Sequence, residues 1–276
     1  MAARRRPLRV LIVGAGKVGV TFAAELRGAG HRVVLRGLRS GLPLRPIDVD
    51  ALLIATREAD FSRVTGHFVA HAVLPRTAVA IHLAGSLSAT AISDLRAVTA
   101  GVAQMHPLVA FASARRAPCL RGAHATVGGD AAAVRIACRI ASDVGLVPRR
   151  FAQLDLSAYH AAAGLVANGA AALVAAGQQL LVAAGVPTEK APLLLGPLLR
   201  SVAQNVENLG MPGALTGPVR RGDALALARH RKALAHLAPD LSPLYAALVR
   251  AQLPAARCLG DATADELAAI AEAFRD

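Results

Sequence analysis

The chain has 276 residues, long enough for a sizeable buried core and for two domains, and its 54% hydrophobic content excludes a disordered protein. Lysine and arginine number 31 against 18 acidic residues, a net charge of +13. The arginines are nevertheless dispersed, there are two tyrosines and no tryptophan, and no basic run alternates with aromatics, which argues against a base-stacking nucleic-acid surface.

Arg4-Arg5-Arg6 reads as a frayed basic terminus. The apolar run Leu8-Arg9-Val10-Leu11-Ile12-Val13 then enters Gly14-Ala15-Gly16-Lys17-Val18-Gly19. Lys17 and Glu25 interrupt this stretch, so it is not expected to be a signal peptide. It reads as strand, glycine turn and helix start. In a dinucleotide fingerprint the first glycine makes the tight turn, the second admits a pyrophosphate to the backbone, and the third lets helix and strand pack closely. A single such string is a weak signal. Here the helical pattern Val18, Phe22, Leu26 and a second strand, His31–Leu35, supply the context it requires.

Folds that prefer NAD carry an acid at the end of that second strand, about 20 residues beyond the fingerprint, for the ribose 2′-hydroxyl. This chain has Arg36, with Arg39 and Ser40 close behind and no carboxylate before Asp48. Guanidinium grips a phosphate bidentately, so NADP (NADPH) is expected over NAD. The alternative is that both arginines are simply solvated.

The next strand is Ala51–Thr56, where a longer unit would insert a further helix and strand, so a shortened nucleotide domain is expected. Ala78–His82 follows and ends in Leu83-Ala84-Gly85-Ser86, small residues where a cofactor ring fits at the carboxyl edge of the sheet. His67 and His71 have metal-ligand spacing but no third partner in sequence, and no metal is expected. Strand-like Gly101–Met105 leads to His106-Pro107, placing His106 near the cleft as a candidate substrate contact. Strands at Ala125–Val127 and Leu146–Pro148 flank the helical pattern Val134, Ala137, Cys138, Ala141.

From Gln153 only helices are predicted. The fold class is therefore α/β then all-α: a Rossmann-like parallel-sheet domain over 1–150, and a helical domain for substrate and dimerisation over 151–276. Residues 156–188 carry no formal charge, and their length would span a bilayer. With His160, Asn168, Gln178 and Gln179 among many alanines, however, a helix buried between domains or subunits is expected, with no membrane partner and a homodimer as the assembly. Cys119, Cys138 and Cys258 stand far apart without a CxxC pair, which points to a reduced, cytoplasmic setting.

His160, Gly164 and Asn168 recur at spacings of four along one helix face. His160 is the candidate proton donor there and Asn168 the candidate orienting group; a buried, carbonyl-satisfied histidine is the structural alternative. Thr216 to Asp223 reads as an ordered loop entering a helix at Asp223, which fits an N-cap. Arg220 or Arg221 suits a substrate carboxylate, Thr216 could add a hydroxyl, and Asn205 has a weaker claim. An equally simple reading ties the loop down with the same side chains.

The fingerprint, His82-Leu83-Ala84-Gly85-Ser86, His106-Pro107-Leu108, Tyr159–Ala163, Asn168 and the string Leu215–Asp223 together resemble the Rossmann-like proteins that carry a C-terminal domain of unknown function numbered 2520. The resemblance covers essentially the whole chain. It implies kinship with the β-hydroxyacid dehydrogenase, ketopantoate reductase and pyrroline-carboxylate reductase group, and hence an NADP oxidoreductase acting on a small 2-oxo or imine acid such as ketopantoate. Many of those enzymes use a lysine on the first long helix after the nucleotide domain. None occurs in this one, which directs attention to His160. A non-catalytic NADP-binding sensor is the other class that keeps the fingerprint.

Overall fold

The computed structural model describes residues 6–275 and divides into two compact units, Met1–Ala167 and Asn168–Asp276. Of the basic run, Arg4 and Arg5 lie outside the described residues; Arg6 pairs with Asp50 at 2.8 Å.

The first unit is built from β1 (Arg9–Val13), α1 (Lys17–Gly28), β2 (Arg32–Arg36), β3 (Ala51–Ile54), α2 (Phe61–His71), β4 (Val79–His82), β5 (Val102–Pro107), β6 (His124–Gly129), α3 (Ala131–Asp143) and β7 (Val147–Arg149). They form a seven-stranded sheet in the order β2-β1-β3-β4-β5-β6-β7. The chain passes from β2 to β3 through a short 3-10 turn, Leu38–Ser40, with no intervening helix, as the spacing predicts. All pairs are parallel except β5 with β6. That exception departs from the expected parallel sheet. A parallel crossover needs a dozen or more residues and usually a helix, whereas the segment between β5 and β6 forms no helix and simply returns.

Alternate residues of each strand feed opposite faces. Val10, Ile12, Leu53 and Met105 pack with Phe22, Leu26 and Ile140 on one side, and Leu11, Val13, Leu52 and Ile54 pack with Val64, Phe68 and Leu95 on the other. Both faces are covered, which is why these strands read as nearly continuous apolar runs.

Helix α4 (Leu156–Ala183) is followed by α5 (Ala191–Leu209), α6 (Ala224–Leu237), α7 (Ser242–Leu259) and α8 (Ala264–Ala273). Asp155 caps α4, its carboxylate accepting from the Ser157 and Ala158 amides at 2.9 and 3.0 Å. Asp223 caps α6 by accepting from the Ala226 amide at 2.9 Å, as its place before the apolar run suggests. The core of the second unit is supplied by Val219, Leu227, Val249, Leu253, Leu267, Ile270 and Phe274. The burial expected for the uncharged helix is not met within this chain. No residue of α4 is buried, and Leu165 and Val166 are 77% and 74% exposed. By length and composition alone α4 could also cross a membrane.

Candidate active site

The sheet order puts β1 between β2 and β3, so the chain leaves β1 to opposite sides and opens a crevice at the carboxyl ends. The fingerprint sits there. Gly14 adopts φ +116°, donates its amide to the Arg36 carbonyl at 2.8 Å, and lies so close to β3 that a Cβ would stand 2.4 Å from the Ala55 carbonyl oxygen. A Cβ on Gly19 would stand 1.8 Å from the Gly14 carbonyl oxygen, whereas one on Gly16 would meet nothing within 4 Å. The outer two glycines therefore serve the fold, and the middle one faces open space. Ala15, Gly16 and Lys17 are exposed and Val18 half-buried, where α1 offers its unpaired first-turn amides.

Arg36 closes β2, and Arg39 and Ser40 lie on the following turn, all three exposed. Among the described residues neither arginine side chain has an ion-pair partner. Arg63 of α2 donates to the Leu38 carbonyl at 3.3 Å and so steadies the turn that carries them. On the other side of the glycine turn, at the end of β3, the Thr56 hydroxyl is buried with no partner among the described residues. An orphaned donor costs free energy unless something satisfies it, and beside a glycine turn this one fits a bound nucleotide.

Strand register aligns Val13 with Ile54 and Ile54 with His82. The Leu83–Ser86 segment therefore emerges beside the glycine turn. His82 is fully buried, accepts from the Ala84 amide through Nδ1 at 3.3 Å and donates from Nε2 to the Ser88 carbonyl at 2.9 Å. Burial lowers its pKa, against the raising influence of the Ser88 hydrogen bond and Glu58, so the neutral ring pins both ends of the loop. Within that loop Ala84 and Ser86 are half-buried and Gly85 is buried; Ser86 donates to the Glu58 carboxylate at 2.7 Å.

Gly85 is where the chemistry gathers. A Cβ there would lie 2.4 Å from His160 Nδ1 and 2.8 Å from His106 Nε2. The two imidazoles stand edge to face with centroids 5.4 Å apart, and the His106 Nδ1 is 3.1 Å from the Tyr159 hydroxyl. Burial, reinforced by repulsion from His160, drops the pKa of His106 from 6.5 to about 4. Burial also raises the Tyr159 phenol, opposed by a hydrogen bond from Thr126. His160 itself is exposed.

The sign of the His106 shift fixes a stability prediction. The unfolded ring takes its proton near pH 6.5 and the folded ring only near 4, so the group's stabilising contribution is present above 6.5 and is lost as pH falls through 4. The urea midpoint of wild type should therefore drop more between pH 7 and pH 4 than that of His106→Asn, and equal drops would show that His106 titrates normally.

Within the first unit the fold thus brings together Gly85, His106, Tyr159 and His160. Asn168, Asn205, Thr216, Arg221 and Asp223 belong to the second unit. There Asn168, Thr216 and Arg221 are exposed, Asn205 is half-buried, and Asp223 carries the helix cap already described. Arg220 donates to the Leu215 carbonyl at 2.9 Å and pairs with Asp261, a loop-tying role. His67 and His71 stack at 4.4 Å, with ring nitrogens engaged by the Pro43 and His67 carbonyls.

Four participants escape the sequence reading: Thr56, Gln104, Thr126 and the hydroxyl of Tyr159. Gln104 and Thr126 are 3% and 6% exposed. Polar side chains inside otherwise apolar strands are a usable signal for such residues, since buried polar groups need a partner.

Residues 123–252 match the family described as a domain of unknown function, DUF2520. The matched stretch is just under half of the chain. It begins at β6, so it includes Thr126, Tyr159 and His160, while the glycine turn, Gly85 and His106 precede it. No curated protein sequence matches the chain. Among solved structures, a Bacteroides fragilis protein to which NADP oxidoreductase activity is ascribed aligns at TM-score 0.70 and 19% identity, over 89% of this chain and 98% of its own. Protein TM1727 from Thermotoga maritima aligns at 0.65 and 19% identity, over 97% and 100%. Plasmodium falciparum pyrroline carboxylate reductase, solved with NADP bound, aligns at 0.61 and 12% identity, over 97% of each chain. These similarities establish a shared fold, a Rossmann-like sheet followed by a helical region.

Proposed function

We propose that the chain is a cytoplasmic NADP-dependent oxidoreductase that reduces a small 2-oxo or imine acid, ketopantoate-like in size. The observation that carries this reading is the meeting of two features on one sheet edge: an open glycine turn with Arg36 and Arg39 beside it, and two imidazoles closing on Gly85. From β2 to β5 is four strand spacings, about 19 Å, room for both halves of a dinucleotide. The solved neighbours described as NADP enzymes support the same class.

Gly16 and the first turn of α1 would hold the pyrophosphate; Arg36, Arg39 and Ser40 would hold the 2′-phosphate; Ala84, Gly85 and Ser86 would lie against the nicotinamide. The bound nucleotide supplies the hydride. His106 is neutral at pH 7, so it serves as an N–H donor that holds the reacting oxygen or nitrogen, not as an imidazolium. His160, exposed beside it, delivers the proton to the oxyanion or amine as charge develops. Replacing His160 by Ala should lower turnover at least about tenfold with NADPH affinity nearly unchanged.

Arg36 decides the cofactor. Its removal takes away a charge-assisted hydrogen bond of about 1.5–3 kcal/mol, so Arg36→Ala should weaken NADPH by about 10- to 100-fold and leave NADH unchanged. Equal losses for both nucleotides would remove the arginine from 2′-phosphate recognition. Activity itself is tested by NADPH oxidation with a panel of 2-oxo acids and cyclic imines.

We propose further that the chain works as a homodimer. Helices α4 and α5 expose Leu165, Val166, Leu193, Leu194, Leu198 and Leu209, a surface of the kind that marks an interaction site, and a second copy is the occupant that both helices would suit. Light scattering on the purified chain should give twice the monomer mass.

A further inference from the structure

We infer that a cavity of about 340 Å³ beside His106 is the subsite for the far end of the substrate, and that it selects a carbonyl compound carrying a neutral hydroxyl, held by Gln104 Oε1. The inference rests on the oxidoreductase reading and narrows its substrate class.

The cavity lies wholly in the first unit, and its volume stands at the low end of the range for ligand pockets, about 300–1,000 Å³. Strand alternation puts it next to the two imidazoles. Gln104 and His106 are two residues apart on β5, so they share one face of the sheet at a spacing of about 7 Å. Thr126, which also lines the cavity, is the register partner of His106 on β6. A molecule whose carbonyl is held at His106 therefore reaches the cavity through a chain of a few carbons.

The lining decides what enters. Its charged side chains are Arg96 and Asp130, which satisfy each other in a two-pronged ion pair at 2.8 and 2.9 Å, Asp130 also accepting from the Val102 amide at 2.9 Å. No unpaired charge remains there among the described residues, so the cavity suits neither the substrate's carboxylate nor an ammonium group. Phe151, Leu154 and Leu156 make an apolar wall. Gln104 is the exception. It is 3% exposed, and its amide nitrogen lies 3.4 Å from the Ala84 carbonyl oxygen and 3.3 Å from Thr126 Oγ1. A backbone carbonyl only accepts, so the nitrogen belongs on that side, and Oε1 is left as an acceptor with no partner among the described residues. A buried acceptor without a donor costs free energy. An alcohol supplies one proton to it and brings no charge into the cavity.

The test is NADPH oxidation by 4-hydroxy-2-oxobutanoate and by 2-oxobutanoate, which differ by that one hydroxyl. Wild type should prefer the hydroxy acid at least about tenfold in kcat/KM, because the analogue leaves Oε1 unpaired. Gln104→Leu should bring the two within about threefold; the ratio is the readout, since loss of the Ala84 contact alone would lower both substrates alike. A second variant fills the space: Gly128 pairs with Gln104 across the strands, and a Cβ there would meet nothing within 4 Å. Gly128→Val should lower kcat/KM for the hydroxy acid at least about tenfold more than for glyoxylate, whose reacting carbonyl bears no chain. Equal use of the two matched acids by wild type, or a preference that survives in Gln104→Leu, would overturn the inference and leave the oxidoreductase reading standing. Should the leucine variant not fold, Gly128→Val decides, and an equal loss for both of its substrates overturns the inference. If no acid oxidises NADPH, the oxidoreductase reading fails, and the cavity is read with 2,2-dimethylpropan-1-ol alone. A saturable shift of the Gln104 side-chain amide resonances in wild type, absent in Gly128→Val, then sustains the hydroxyl subsite; no shift overturns it.

Discussion

Gly19→Ala should cost the protein on the order of 3 kcal/mol, a fall in melting temperature of about 10 °C, while Gly16→Ala should melt within about 2 °C of wild type and bind NADPH about 10- to 100-fold more weakly. The two glycines stand in the same turn and differ only in what surrounds them. A methyl on Gly19 would sit 1.8 Å from the Gly14 carbonyl oxygen, main chain that cannot move without lifting α1 from β1. A methyl on Gly16 meets nothing within 4 Å and its extended backbone, φ −82° and ψ −172°, suits any residue. The space it would fill is the approach to the helix N-terminus, where a pyrophosphate has to come against the backbone. Calorimetric melting and nicotinamide fluorescence titration measure the two effects separately. If Gly16→Ala bound NADPH as wild type does, the open space above the turn would not be the pyrophosphate site.

The second large effect is expected at Gly85. Gly85→Ala drives a methyl between His160 Nδ1 and His106 Nε2, which its Cβ would approach to 2.4 and 2.8 Å. His160 is exposed and can swing away; His106, held by Tyr159, has less freedom. Loss of a preoriented donor at a developing charge typically costs 10²–10³ in turnover, so kcat should fall about 100-fold. Stability should change little, because the displaced ring ends on the solvent side. A variant with normal kcat would show that the reacting atoms do not lie between these imidazoles.

Much of this was legible in the sequence for a physical reason: the roles concerned are local. A glycine at a tight turn, an apolar run long enough for one strand, or Asp223 before an apolar helix each acts through neighbours a few residues away, and the structure agrees with the strands and the cap. The turn after β2 is local as well, and the structure places it at Leu38–Ser40. What stayed hidden depends on register. Gln104 meets Thr126 only because β5 and β6 run antiparallel, and Tyr159 meets His106 only because α4 starts where it does, and nothing in their sequence spacing announces either. The antiparallel pair was itself invisible, because strand composition does not encode direction. For α4 the apolar composition predicts burial, but the chain alone does not provide the covering surface.

The crevice at Gly14–Gly19, Arg36 and Gly85 is expected to bind a reduced dinucleotide phosphate. Titration of the purified chain with NADPH and with NADH, followed by nicotinamide fluorescence, tests it most directly. The structure predicts saturable binding of one NADPH per chain, at least about tenfold tighter than NADH; no saturable binding of either nucleotide would contradict it.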